Sequence, residues 1–211
     1  MKVLNLYACL GGNRLLWENC EVTAVELDPE LARMYQERFP NDTVIVADAH
    51  QYLLDSINNG VEWDFVWSSP PCPTHSRARF WSSKGGMYDV QYPDMMLWQE
   101  IIFMQNFVEC KWVVENVIPY YQPLIHPQQE IGKNLFWSNF VITKCAQSES
   151  LHMDSQKARE EFHKIDLSDY KGKQSKVKIS RNLVHYDTGL HIFNLAQGIH
   201  KANNEQQTTL F

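Results

Sequence analysis

Short apolar runs alternate with amphipathic stretches along the first part of the chain, the pattern of βα units around a parallel sheet. Val3 to Tyr7 is predicted as a strand, followed by the turn Ala8-Cys9-Leu10-Gly11-Gly12 and a short helix through Leu15 and Trp17. Val22 to Glu26 is the next strand. Asp28-Pro29-Glu30 then opens a helix, since acidic residues in the first turn and a proline near N1 suit the unpaired amides there; it ends near Phe39, before Pro40. Thr43 to Ala47, rich in β-branched residues, and Trp63 to Ser68, rich in aromatics, are further strands. The apolar stretch from Pro93 to Glu109 predicts a buried helix feeding a strand over Lys111 to Val114. After Val117 the pattern changes: Pro119, Pro123 and Pro127 punctuate a loop with Tyr120 and Tyr121, and Asn134 to Thr143 returns to a strand-like run. From Ser148 to Lys178 the chain is polar and charged, with one helix near Ser155 to Lys164. The expected architecture is a single α/β domain with an irregular C-terminal third.

Composition narrows this picture. With 211 residues, 44% hydrophobic and 12% aromatic, the chain fills one core, which excludes disorder, collagen-like sequence and a disulfide scaffold. No apolar run approaches the ~18 to 20 residues of a membrane span, and Met1-Lys2 leads into a strand where a signal peptide needs an apolar stretch. A soluble, intracellular protein with no membrane partner is expected. The net charge of −6 argues against bulk attraction to nucleic acid, so any phosphate contact must be local. Five scattered cysteines with no zinc-like spacing imply a reduced compartment and no metal.

Candidate chemistry clusters at the ends of the strands. The Gly11-Gly12 turn opens a helix, so its amides can approach a cofactor closely, although ordinary βα connections carry the same turn. Glu26 ends the second strand, where open α/β sheets place an acid that accepts from ribose hydroxyls, and Asp48 follows the third strand, placed to meet an adenine amine. A helix cap or a solvated loop acid is the plainer role for either. Ser69-Pro70-Pro71-Cys72-Pro73 follows the fourth strand, and its prolines hold a thiol on a rigid turn suited to nucleophilic attack. The fifth strand delivers Glu115-Asn116-Val117 to the same edge, so a carboxyl can protonate a base ring while the thiolate attacks it.

These residues resemble the DNA cytosine-C5 methyltransferase family, in the compact form seen in bacteriophages and prophages. The matching run is Asn5 to Gly12, Val25 to Asp28, Ala47-Asp48, Ser69 to Cys72 and Glu115 to Val117, in the family's order, within about Met1 to Thr143. The resemblance implies a Rossmann-like S-adenosyl-methionine-dependent methyltransferase fold, S-adenosyl-L-methionine as cofactor, cytosine in DNA as substrate and a bacterial or phage-infected cytoplasm. It implies that Cys72 adds to C6 of the base, that Glu115 holds N3 and the exocyclic amine, and that Asn116 belongs to the same catalytic motif. On the cofactor side it implies Tyr7 against the adenine, Glu26 at the ribose, Asp48 at the adenine amine, and Gly11, Gly12 and Pro70 along the turns. RNA cytosine methylation uses the same residues, and a catalytically silent, DNA-binding or clamp-bound module is a reading from another class.

Three departures accompany the match. Asn5 replaces the family's aspartate near the methionine moiety, and Cys9 replaces a glycine. No Gln-x-Arg-x-Arg motif is present, and Arg181, in the basic run Lys176 to Asn182, is the expected substitute. Arg77 to Tyr92 is expected to be a mobile loop that closes over the flipped base. No separate target-recognition domain is visible: 1–147 is expected to be the catalytic core, 148–200 a DNA-contacting and core-completing part, and 201–211 a tail. Within that tail, Gln207 to Phe211 resembles the peptide by which bacterial replication and repair proteins dock on the sliding clamp, which implies the clamp as a partner.

Overall fold

The structure is a computed structural model that describes residues 1–87, 89–145 and 155–199. Tyr88 and the clamp-like stretch Gln207 to Phe211 lie outside the described residues. The strands are β1 (Lys2–Leu6), β2 (Glu21–Glu26), β3 (Thr43–Val46), β4 (Phe65–Ser68), β5 (Lys111–Val117), β6 (Gln129–Ile131) and β7 (Asn134–Ser138). The helices are α1 (Pro29–Arg38), α2 (Ala49–Asn58), α3 (Arg77–Lys84), α4 (Met96–Phe107), α5 (Gln156–His163), α6 (Lys176–Asn182) and α7 (Tyr186–Ala196).

The strands form one seven-stranded sheet in the order β3-β2-β1-β4-β5-β7-β6. The first five are parallel, while β7 runs antiparallel to both β5 and β6. This is a Rossmann-like arrangement, in which the chain starts in the middle of the sheet and winds outward both ways. Alternation along each strand supplies both faces. Leu4, Leu6, Val66 and Val114 pack against α2 and α4, while Val3, Phe65, Trp67 and Val113 pack against α7. Ala24 meets Tyr35 and Phe39 at α1. Register then decides the position of the chemistry: Leu6 pairs with Val25 and Ser68, and Ser68 with Val114. The residues that follow these positions therefore emerge together at one edge of the sheet.

Most expected elements form close to their predicted limits, and the exceptions trace to contacts with other parts of the chain. The stretch through Leu15 and Trp17 is a series of turns, because Trp17 is drawn into the core, where its ring stacks on Phe193 at 4.9 Å and its Nε1 donates to the Gly189 carbonyl. The strand expected to run to Thr143 stops at Ser138. There the Asn139 side chain replaces the ladder, accepting from the Trp112 amide and donating to the Cys110 carbonyl. The Arg77 to Tyr92 stretch holds the helix α3, whose residues are all at least partly exposed. The C-terminal third, expected to be irregular, carries α5, α6 and α7 among its described residues, and α7 buries Ile192 and Phe193 beneath the sheet. Among the described residues no helix is long and apolar enough to cross a membrane, and no cluster of His, Cys, Asp and Glu could hold a metal ion.

Candidate active site

A cleft of about 1140 Å³ opens along the edge where the parallel strands end. Toward the β2 and β3 side it is lined by Tyr7, Cys9, Glu26, Asp28 and Asp48, and toward β4, β5 and β7 by Pro70, Cys72, Glu115, Asn116 and Lys133. Lys171 to Gln174, Lys178, Arg181 and Asn182 complete its wall from the C-terminal part of the chain.

On the first side, the turn after β1 is held by a carboxylate. Glu26 accepts from the Cys9 amide at 2.8 Å and from the Asp28 amide at 2.9 Å, one on each oxygen. Burial raises its pKa, and these amides oppose the rise. Each oxygen keeps a further lone pair for a ligand. Asp48 caps α2 by accepting from the Gln51 amide at 2.9 Å and also lines the cleft, so the cap and the site residue are the same group. Asp28 caps α1 and accepts in addition from the Tyr170 hydroxyl at 3.0 Å and from Gln174 Nε2 at 3.2 Å. The segment from Tyr170 to Gln174 is thereby strapped across this side of the cleft. Tyr7 and Cys9 both hold left-handed backbone angles, φ 56° and 48°, which side chains disfavour.

Gly11 and Gly12 lie outside the cleft lining. A side chain on Gly11, whose φ is 64°, would come within 2.5 Å of the Phe39 ring, and one on Gly12 within 2.5 Å of the Val184 carbonyl. Both glycines serve close packing between the turn and its neighbours. Asn5 also stays off the cleft; its buried side chain accepts from Asn13 at 2.9 Å.

On the second side, Cys72 and Glu115 face one another across the edge. Burial lifts the Glu115 carboxyl from 4.5 to about 7, with Ser69 and Lys133 pulling the other way. Burial, and then the Glu115 charge, lift the Cys72 thiol to about 11, opposed by Lys133 and, more weakly, Lys178. The thiol donates to Asn182 Oδ1 at 3.7 Å. Asn116 donates to the Pro70 carbonyl at 2.9 Å, tying the end of β5 to the proline turn. The loops beyond are tied as well: Arg77 Nε donates to the Pro119 carbonyl at 3.1 Å, and the Phe80 and Tyr120 rings stack at 3.9 Å.

Lys133 is the residue that sequence reasoning missed. It stands in the turn of the β6–β7 hairpin, and the pairing of Val117 with Asn134 places it beside the Glu115 strand. Its ammonium donates to the Arg181 carbonyl at 2.8 Å. Burial lowers its pKa, while Glu115 and Cys72 favour its charge. Arg181, the expected cation, lines the cleft from α6 and positions Lys133 through its backbone. A lone lysine after a glycine gives no signal in sequence, because its place depends on the hairpin register.

A model of the family described as C-5 cytosine-specific DNA methylase matches residues 1–119, more than half of the chain. The chain belongs to that family. The matched span reaches from β1 through the Pro-Pro-Cys turn to the Glu-Asn-Val strand, so both halves of the cleft edge fall inside the family's pattern. The hairpin with Lys133 and the helix with Arg181 lie beyond it. No curated protein matches in sequence. Among solved structures, a SAM-dependent methyltransferase from Agrobacterium tumefaciens is similar at 16% identity and a TM-score of 0.43, covering 58% of this chain and 40% of that one. A hypothetical protein of Thermus thermophilus is similar at 20% identity and a TM-score of 0.44, covering 65% and 73% respectively. A DNMT2 variant from Spodoptera frugiperda is similar at 20% identity and a TM-score of 0.38, covering 55% and 35%. The chain thus spans less than half the length of the Agrobacterium and Spodoptera proteins.

Proposed function

We propose that the protein transfers a methyl group from S-adenosyl-L-methionine to C5 of cytosine in DNA, through a bond between Cys72 Sγ and C6 of the base. The observation that carries this reading is the convergence of Cys72, Glu115 and Lys133 on one cleft whose other side offers carboxylates and an aromatic ring. The donor set fits the cofactor: Glu26 and Asp48 present acceptors for ribose hydroxyls and an adenine amine, and Tyr7 presents a ring for the adenine. Pro70 and the backbone near Cys9 face the remainder. The bound cofactor supplies an electrophilic methyl group carried on a sulfonium.

This chain's own residues prepare the base to accept it. A cytosine ring inside a duplex is out of reach, so the base must be flipped into the cleft at a cost of a few kcal/mol. Glu115, lifted to about 7, holds its proton near neutral pH and can donate to N3, which makes C6 electrophilic. Cys72 releases its proton to solvent and its thiolate forms the bond to C6, with the Lys133 ammonium favouring the thiolate. Electron density shifts to C5, which takes the methyl group. The C5 proton then leaves to solvent as the Cys72–C6 bond breaks, the N3 proton returns to Glu115, and the thiolate is restored. Lys171, Lys173, Lys178 and Arg181 on the wall are suited to phosphates flanking the flipped base.

Incubation with S-adenosyl-methionine and a duplex containing 5-fluorocytosine tests the reading, because fluorine at C5 cannot leave as a proton does. A covalent adduct that disappears on Cys72→Ala is the expected result. No adduct across varied DNA sequences would reject the DNA reading, and an adduct with RNA alone would move the substrate to RNA.

A further inference from the structure

A carboxylate buried away from any lysine or arginine is costly unless donors satisfy it, so a fully buried glutamate on an apolar helix calls for a reason. Glu100 is such a residue. It lies in α4, is 1% exposed, and stands among Leu97, Trp98, Ile101 and Met104, all buried. Three donors reach it from three other elements. The Tyr7 hydroxyl, just past β1, donates to Oε2 at 2.8 Å. His50 Nδ1, in the first turn of α2, meets the same oxygen at 3.2 Å. The Ser68 hydroxyl, at the end of β4, donates to Oε1. Glu100 thus joins α4 to two strand ends and to the helix capped by Asp48.

Of these partners, Tyr7 is the one whose ring lines the cleft, on the side of Glu26 and Asp48. Its left-handed backbone, φ 56°, is disfavoured for an aromatic residue. The hydroxyl at the far end of the ring is fixed by Glu100, and Glu100 is itself fixed by Ser68 and His50. We propose that Glu100 is a positioning residue for the cofactor: it holds the Tyr7 ring at the angle that receives the adenine of S-adenosyl-methionine, acting through the phenol and without touching the ligand. This deepens the methyltransferase reading and rests on it. The link is the oxygen that receives the phenol: a glutamine can keep it, accepting from Tyr7 and His50 on its oxygen and donating to the Ser68 hydroxyl, whereas a leucine removes it.

The test is binding of S-adenosyl-methionine to the whole protein by titration calorimetry, with Glu100→Leu, Tyr7→Phe and the double variant. Each single change is expected to weaken binding about tenfold, with the double variant no weaker than the worse single one, since both cut the same link. At saturating S-adenosyl-methionine, the rate of adduct formation on 5-fluorocytosine DNA by Glu100→Leu is expected to stay within about threefold of the parent, so the loss falls on binding. Parent-like binding in a folded Glu100→Leu, or additive losses in the double variant, would overturn the proposal. If Glu100→Leu fails to fold, Tyr7→Phe decides alone, and undiminished binding there overturns it. A parent protein that binds no S-adenosyl-methionine would instead sink the functional reading.

Discussion

At the scale of single residues, the site combines groups held away from their ordinary protonation. Glu115 is held at about 7 in the fold against an ordinary 4.5. A carboxyl raised on folding costs nothing below its unfolded value; the cost builds as pH rises between the two values and is full above the higher one. At ~1.4 kcal/mol per pH unit, Glu115→Gln is expected to stabilise the fold at about pH 8 by up to about 3 kcal/mol and to gain nothing near pH 4. Thermal melts at the two pH values check this; equal gains at both would show that the charge is not the cause. The same change is expected to slow methyl transfer by roughly 10² to 10⁴, because the N3 proton is lost. Lys133 acts on the partner group. Without its ammonium the Cys72 thiol rises further above about 11, so Lys133→Met is expected to slow iodoacetamide labelling of Cys72. The expected slowing is about threefold to tenfold near pH 7, read by peptide mapping. Unchanged labelling would remove Lys133 from the electrostatics of the site.

At the scale of elements, the strand ends were legible because their signals are local. Asp28 and Pro29 start α1 as their chemistry dictates, and the helix runs from Pro29 to Arg38. The Pro-Pro-Cys turn and the Glu-Asn-Val strand were also readable, since prolines and alternation act within a few residues. The pieces that escaped are those whose conformation is decided by distant partners. Helix α3 buries nothing and is held by Pro119 and Tyr120; α6 is a short basic run seated on Ile179 and Leu183. Helix α7 is the clearest case. Its residue Gly189 lies so close to the first turn that an added side chain would meet the Asn13 carbonyl oxygen at 2.1 Å. Gly189→Ala is therefore expected to destabilise the protein by about 1 to 3 kcal/mol, lowering Tm by roughly 2 to 12 °C. An unchanged Tm would mean that α7 can move away from the turn at little cost.

At the scale of the whole molecule, an acidic chain places five of its 19 lysines and arginines along one cleft. The net charge is −6, yet Lys133, Lys171, Lys173, Lys178 and Arg181 all line one cleft. Nucleic-acid affinity should then depend on a few phosphates. The slope of log K against log salt is expected to be about −2 to −4, and Lys173→Ala should flatten it by about 1. A slope steeper than about −6, measured by fluorescence anisotropy, would require a broad basic face that this cleft does not supply.

The sequence alone determined the α/β class, the parallel sheet of βα units and the placing of Cys72, Glu115, Glu26 and Asp48 near strand ends. These follow from periodicity, proline stiffness and helix-start chemistry, all of which act over a few neighbouring residues. Only the tertiary structure decided that Gly11 and Gly12 are packing residues, that Lys133 stands beside the thiol, and that α6 and the segment from Lys171 to Gln174 wall the cleft. Those facts depend on sheet register and on contacts between residues far apart in the chain, such as Tyr170 on Asp28 and Glu100 on Tyr7. A polar or charged side chain carries no mark of such a partner until the fold brings the two together.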